Sequence, residues 1–472
     1  MATTLTALGE RRPGIWRQVL EAIRGTRQDF TEGSISRAVL LLAIPMVLEM
    51  CMESLFAIVD VFWVTRLGAN AVATVGLTES MLSLVFSVAV GVSMSTTAMV
   101  ARRIGEKDNH GAVRAAVQAI FLGVALAALM GFPGFWLAPK LLQWMGAPPD
   151  LIAVGHRYTS VVFGGSVSVM LLFLCNSIFR GAGDAAVAMR VLWFANLINL
   201  ALDPCLIFGL GPFPALGVTG AGVSTLIGRS CGVLYQIWIL TRGHTRIRIR
   251  PADWRVAPRV IYSLARVSVT GVLQFAVAHT SWIALVRIIS TFGSLALAGY
   301  TIGIRIFIFA ILPCWGLSGA AATMVGQNLG AGKPERAERA VYLTGLYNSL
   351  LLGAVAVVFI FMPRELVRVF TGSAVEAPFA VDCLRIIGFG NLVYAWTMVL
   401  LQAFNGAGDT VTPTMVNIVS FWCCEIPLAW VLAYPARLGV RGVFMSIPIA
   451  ELVMTILSLT MFLRGSWKRR RI

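Results

Sequence analysis

The chain has 472 residues, of which 58% are hydrophobic and 13% charged, with a formal net charge of +16. A mean hydropathy of +0.81 excludes a soluble globular domain, which could not hide that much apolar surface in one core. The excess of base points to nucleic acid only until its placement is examined, and it falls between apolar runs.

In chain order, residues 1–37 form a basic N-terminal segment. Its stretch IWRQVLEAIRGTRQDF is amphipathic and reads either as a surface-lying helix or as a solvated tail. It holds no long apolar core before a small-residue cleavage site, so no signal peptide is expected. Twelve apolar runs follow, each near the roughly 20 residues that a spanning helix needs. Their cores lie at 38–64, 72–99, 112–136, 154–178, 186–209, 217–241, 261–290, 296–324, 341–362, 381–404, 412–434 and 440–463. Stretches such as AIFLGVALAALMGF are apolar all round, which excludes the alternation of membrane-barrel strands. The expected fold class is therefore all-α, a polytopic membrane protein. Residues 38–241 make the first six spans, 242–260 a basic linker, 261–463 the last six spans, and 464–472 a basic C-terminal tail.

Of the 38 Lys and Arg, 27 lie in the tails and even-numbered loops, seven in the opposite loops, and Arg229, Arg287, Arg305 and Arg385 within spans. That bias predicts both termini in the cytoplasm and a lipid bilayer, not nucleic acid, as the macroscopic partner.

Three segment pairs share one spacing. VARRIGEK at 100–107 resembles VGQNLGAGK at 325–333, RGAGD at 180–184 resembles NGAGD at 405–409, and RLGANAVATVG at 66–76 resembles TFGSLALAGYT at 291–301. The common offset of 225 residues predicts two six-span repeats with the same orientation. Each Gly-Ala-Gly-Asp reads most simply as turn chemistry, with Gly at positive φ and Asp capping the next helix.

Charged groups within spans cost roughly 2.5–3.5 kcal/mol on insertion scales and mark function by default. In the first span Glu49, Glu53 and Asp60 fall on one narrow stripe at about 100° per residue. In the fifth, Asn196, Asn199 and Asp203 do the same, and Pro204 offers a bend beside the carboxylate. At the offset of 225 these acids meet Leu285 for Asp60, Ala278 for Glu53 and Leu428 for Asp203, so the repeat does not preserve them. The asymmetry predicts a dedicated proton or cation site in the first half, a buried carboxyl being suited to loading and releasing a proton. Glu425 is the intramembrane acid noted in the second half, placed to meet a cationic substrate or to pair with Arg287 or Arg305. Gln274 and His279 are further cleft candidates, and Trp282, Trp315, Trp396 and Phe404 would suit an aromatic cavity.

The eight cysteines show no CxxC or Cys/His spacing, predicting neither a metal centre nor a disulfide framework. No HExxH or GxxxxGK[ST] occurs and the four histidines are scattered, so no enzyme is expected, and the energy for transport is expected from an ion gradient or a separate subunit. No cofactor is expected beyond H+ or Na+ as coupling ion.

The residues resemble the multidrug and toxic compound extrusion (MATE) family, in particular its prokaryotic DinF-like branch. The resemblance runs through IPM and VDVFWVTRLG of the first span, VARRIGEKD, FRGAGD, NLINLALDP, VGQNLGAGK, FNGAGDTVTP and IPLAW. It implies two lobes around a central cleft, rocker-switch alternating access, and export of organic cations or amphipathic compounds against a proton or sodium gradient. It further implies a coupling site of Asp60, Asn199 and Asp203, with Asn176 of LCNSIFRGAGD as a fourth member. The family's other cation site, with acids in the seventh and tenth spans, has no counterpart beyond Gln274, His279 and Asp382. Glu49, Glu53 and Glu425 match no general family position. A bacterial or archaeal inner membrane and a monomer are the expected setting. The competing reading is a flippase for a lipid-linked precursor, whose cleft would be rich in Arg where this one offers acids.

Overall fold

The computed structural model describes residues 15–25, 28–243, 245–370 and 377–470. Among them twelve helical segments are long and apolar enough to cross a bilayer, and no strand occurs. The first six are α2 (Ile35–Thr65), α3 (Ala69–Gly105), α4 (Asn109–Trp136), the pair α6 (Pro149–Gly164) and α7 (Ser166–Ala182), α8 (Ala185–Phe208) and α9 (Val218–Arg242). The last six are α10 (Pro258–Ser290), α11 (Ser294–Gly330), α12 (Pro334–Phe361), α14 (Ala377–Gly406), a segment running from α15 (Val411–Asn417) to α16 (Ile426–Ala433), and α17 (Gly439–Leu463). Short helices α1 (Ile15–Arg24), α5 (Ala138–Trp144) and α13 (Pro363–Phe370) lie outside the spans.

All twelve expected runs are present, but α3 and α11 reach 37 residues each. Hydropathy ends at the edge of the bilayer, whereas VARRIG and VGQNLG carry each helix on with its hydrogen-bond ladder intact. The eleventh span contains a π-helical stretch, Ile418–Glu425, between α15 and α16. Pro427, two residues on, has no N–H to donate, and one wider turn lets the ladder pass it.

Among the described residues, neither terminal segment is a free tail. The amphipathic N-terminal stretch forms α1, which packs on α2. Residues 28–33 then cross to the second half, where Lys333 donates to the Thr31 carbonyl at 3.0 Å and Arg336 to those of Glu32 and Gly33 at 2.7 and 2.8 Å. Burial would raise the Asp29 carboxyl, but the hydroxyl and N–H of Thr31 donate to it at 2.6 and 2.8 Å and hold it below its ordinary range. That turn's contribution is full above the carboxylate range and is lost as the pH falls through the lowered value. At the other end Trp467 is fully buried and stacks on Phe462 at 4.8 Å. Arg470 there pairs with Asp409 at 3.2 Å while its carbonyl accepts from Arg102 of the first half at 2.8 Å. The linker is likewise pinned: the Gln118 side chain donates to the Arg255 carbonyl and accepts from the Ala257 N–H, both at 2.9 Å.

The halves meet through α2 against α11 and α3 against α10 and α11. Their closest approaches come in pairs separated by the offset seen in the sequence. A Cβ on Gly105 would lie 2.0 Å from the Gln327 carbonyl oxygen, and one on Gly330 would lie 2.2 Å from that of Arg102. Nearer the middle, Gly91 abuts Val272 and Gly271 while Gly316 abuts Met46. Polar contacts between halves crowd the end that carries the termini, where Gln327 donates to the Gly181 carbonyl at 2.9 Å and Thr323 to that of Arg180 at 3.0 Å. Towards the other end the contact between Ser54 and the Phe309 carbonyl, at 3.4 Å, is the last of its kind among the described residues.

Candidate ion and substrate site

The polar stripe of α2 faces α7, α8 and α9, and each acid meets a different partner. Glu49 is buried, accepts from the Asn176 amide at 3.0 Å, and lies 4.0 Å from Arg180. The Asn176 carbonyl oxygen in turn accepts from Gln236 at 2.7 Å. Glu53, half-buried, accepts from Asn196 at 3.1 Å and lies 3.9 Å from Arg229. Asn176 and Asn196 thus belong with the glutamates, and Asn176 does not join the Asp203 cluster to which the resemblance assigns it.

That cluster is built one helical turn at a time. Asn199 and Asp203, spaced i and i+4, are both buried on the face of α8 that packs on α9. Ser224 of α9 donates to one oxygen of Asp203, and Asn199 donates to Thr225 at 3.0 Å and to Ser224 at 3.4 Å. The second Asp203 oxygen and the Asn199 carbonyl oxygen are buried with no donor. Buried polar atoms are normally satisfied, so two orphaned acceptors on successive turns are what a proton or a small cation would complete. Asp60 is half-buried, and the charges that act on it are Asp203, Glu79 and Arg229. Tyr158 sits in the same field. Sequence reasoning missed Ser224, Thr225, Gln236 and Tyr158 because a hydroxyl or amide in a span costs little and signals nothing alone. Arg229 is noted there only as an intramembrane charge.

Between the halves lies a cavity of about 810 Å³, lined among others by Met50, Ser93, Arg180, Trp315, Thr323 and Asn405. Thr97 of α3 and Ala322 and Thr323 of α11 line its end nearest the glycine crossing of those two helices. A second space of about 750 Å³ adjoins it through Met94, Trp315, Gln402 and Asn405 and extends into the second half past Gln274, His279 and Asn417. Of the expected aromatic residues only Trp315 lines these spaces, since Phe404 is fully buried, Trp396 packs over Gly345, and Trp282 donates to the Tyr300 hydroxyl at 2.9 Å.

Glu425 ends the π-helical stretch, is buried, and makes no ion pair among the described residues, with Arg287 and Arg305 included. Arg305 acts instead on Glu79 of the first half. The charge that Glu425 does affect is Glu451 of α17, which lines the second space. Glu451 is an intramembrane acid that sequence reasoning passed over. The rule that found Glu425, applied to IPIAELVMTIL, would have found it. The second half therefore holds acids of its own, at positions unrelated to those of the first. Gln274, Asn405, Asn417 and Glu451, which line this space, each carry a buried oxygen without a donor. Glu451→Gln is expected to weaken binding of a monocationic dye about tenfold and of a neutral analogue less than twofold, as read by fluorescence anisotropy.

The MatE family model matches residues 45–205 and again 272–431. The chain belongs to the MatE family. Over 448 residues it is 27% identical to a probable multidrug resistance protein NorM of Thermotoga maritima, covering 93% of this chain and 94% of that protein. A protein of Shewanella oneidensis described as an FAD transporter is 24% identical, covering 91% and 95%. The fold matches a solved MATE structure described as the outward-facing conformation of a multidrug resistance transporter, with a TM-score of 0.88 and 24% identity over 96% of this chain and 99% of that one. Membership in the MatE family makes this a multi-pass membrane protein of a transporter family, with a bilayer as its setting.

Proposed function

We propose that this chain exports small cationic or amphipathic molecules in exchange for protons or sodium ions moving inward. The observation that carries the reading is the cavity between the halves, closed at the termini end by glycine-to-backbone contacts and lined by residues whose buried acceptor oxygens lack donors. A cargo bearing N–H groups or positive charge satisfies such a wall, and an anionic one does not. The two arginines near the cleft lie 4.0 and 3.9 Å from Glu49 and Glu53, which argues against a flippase for anionic head groups. The relatives described as multidrug resistance proteins support the cargo class.

The basic loops support cytoplasmic termini, so the closed end faces the cytoplasm and the cleft faces outward. The protein alternates between this form and an inward-open one, working as a monomer in the inner membrane of a bacterium or archaeon. Asp60, Asn199 and Asp203 hold the coupling ion, and its arrival or departure changes which form is favoured. Ethidium efflux from whole cells, with proton and sodium gradients imposed separately, tests this. A gradient of one ion drives efflux in the wild type, and Asp60→Asn removes the response. Equal efflux with and without both gradients would overturn the coupling.

A further inference from the structure

At the termini end a pocket of about 1210 Å³ opens between α1, α8 and the end of α9, sharing no lining residue with the cleft. Arg24, Arg190 and Arg242 line it, and none of them has a carboxylate within 4.0 Å among the described residues. The acids close by are committed elsewhere: Glu21 pairs with Arg37 at 2.7 Å, and Asp184, which also lines the pocket, accepts from the Arg246 backbone N–H at 3.1 Å. Three guanidiniums against one carboxylate leave the pocket with a positive balance.

A second space of about 870 Å³ shares Arg190 and Tyr235 with it and runs on past Phe194, Cys231 and Leu234. Leu234, Phe194 and Trp238 are exposed on the outer surface of two spanning helices, where the bilayer lies. Tyr235 stacks on Trp238 at 6.0 Å and meets Phe194 edge-on at 5.5 Å. On α9, Arg242 is seven residues beyond Tyr235, about 10 Å along the axis. The head-group region of one leaflet is thinner than that, roughly 5–8 Å, so this stretch of α9 reaches from charged head group to hydrocarbon, and Tyr and Trp mark that boundary.

We propose that this composite pocket binds an anionic glycerophospholipid of the leaflet on the termini side, its phosphate held by Arg24, Arg190 and Arg242 and one acyl chain laid along Phe194 and Leu234. A free phosphate ion would use the arginines but has no use for the apolar groove. Guanidinium suits phosphate oxygens because its N–H groups match them two at a time. A basic pocket between spanning helices is a recurrent site for anionic lipid head groups.

Native mass spectrometry of the full chain in detergent, with dioleoylphosphatidylglycerol, dioleoylphosphatidylcholine and inorganic phosphate as separate probes, decides it. The wild type is expected to hold phosphatidylglycerol on the order of a hundredfold more tightly than R24Q/R190Q/R242Q does, at roughly fivefold per cationic contact. Phosphatidylcholine should bind wild type and variant alike. Arg242→Gln alone, at an exposed helix end, should lose about fivefold and serves if the triple variant does not fold. Leu234→Trp, which fills the groove and leaves the arginines, should weaken phosphatidylglycerol and leave phosphate untouched. Equal phosphatidylglycerol binding by wild type and the arginine variants overturns the site. Phosphate binding with no effect of Leu234→Trp on the lipid overturns its assignment to a lipid.

Discussion

Asp203→Asn is expected to reduce ion-driven efflux at least a hundredfold while the protein remains inserted, monodisperse and no less stable to heat. Asparagine preserves the shape of the side chain and can still accept from Ser224, the contact Asp203 makes across to α9. It cannot take up a proton or carry the charge that attracts a cation. The buried second oxygen has no donor to lose, so the substitution removes no native hydrogen bond and relieves the desolvation of a charge. A purely structural carboxylate would behave in the opposite way, losing stability first and transport only in consequence. Efflux assays paired with melting curves in detergent separate the two, and efflux above half the wild-type rate would sink the coupling role.

Gly105→Val should hold the termini end open. The added Cβ meets the Gln327 carbonyl at 2.0 Å, a backbone atom that no side-chain rotation can move away. Overpacking of this kind costs about 1–3 kcal/mol, and since the clash exists only when α3 and α11 are crossed, the cost falls on the closed form alone. Under the alternation proposed above, the equilibrium between forms is expected to shift by roughly 5- to 150-fold. Gly330→Val, the position related by the repeat, should act alike through the Arg102 carbonyl. Gly76→Ala, with nothing within 4 Å of its Cβ, is the control. Labelling of Thr97→Cys by a membrane-impermeant maleimide, applied from the termini side in a cysteine-free background, reads the shift. Unchanged labelling in both valine variants would mean that the crossing is not the gate.

The contrast between these two sites shows what kind of information a sequence displays. Spanning helices were legible because transfer into lipid is additive along the chain and needs no knowledge of neighbours. Asp203 and Asn199 were legible for the same reason, as groups out of place in hydrocarbon. The role of Gly105 and Gly330 was half-legible. The repeated motif marked both, yet whether a glycine serves a turn or a close approach depends on what lies opposite, and Gln327 and Arg102 are more than 200 positions away in the chain. Asn176 was misplaced because its partners, Glu49 and Gln236, come from two other helices. Glu451 was in plain view and needed no structure.

The grip of Gln118 on Arg255 and Ala257 bears on how far the halves can travel. It tethers the start of α10 to α4, and under the alternation proposed above the helix is expected to act as a lever whose fulcrum belongs to the first half. With 33 residues at 1.5 Å each, the arm is about 50 Å long. A tilt of about 10° then leaves the tethered end still and swings the far end through an arc on the order of 9 Å, roughly the width of a helix. Large displacement at one face of the bilayer is thereby compatible with nearly none at the other.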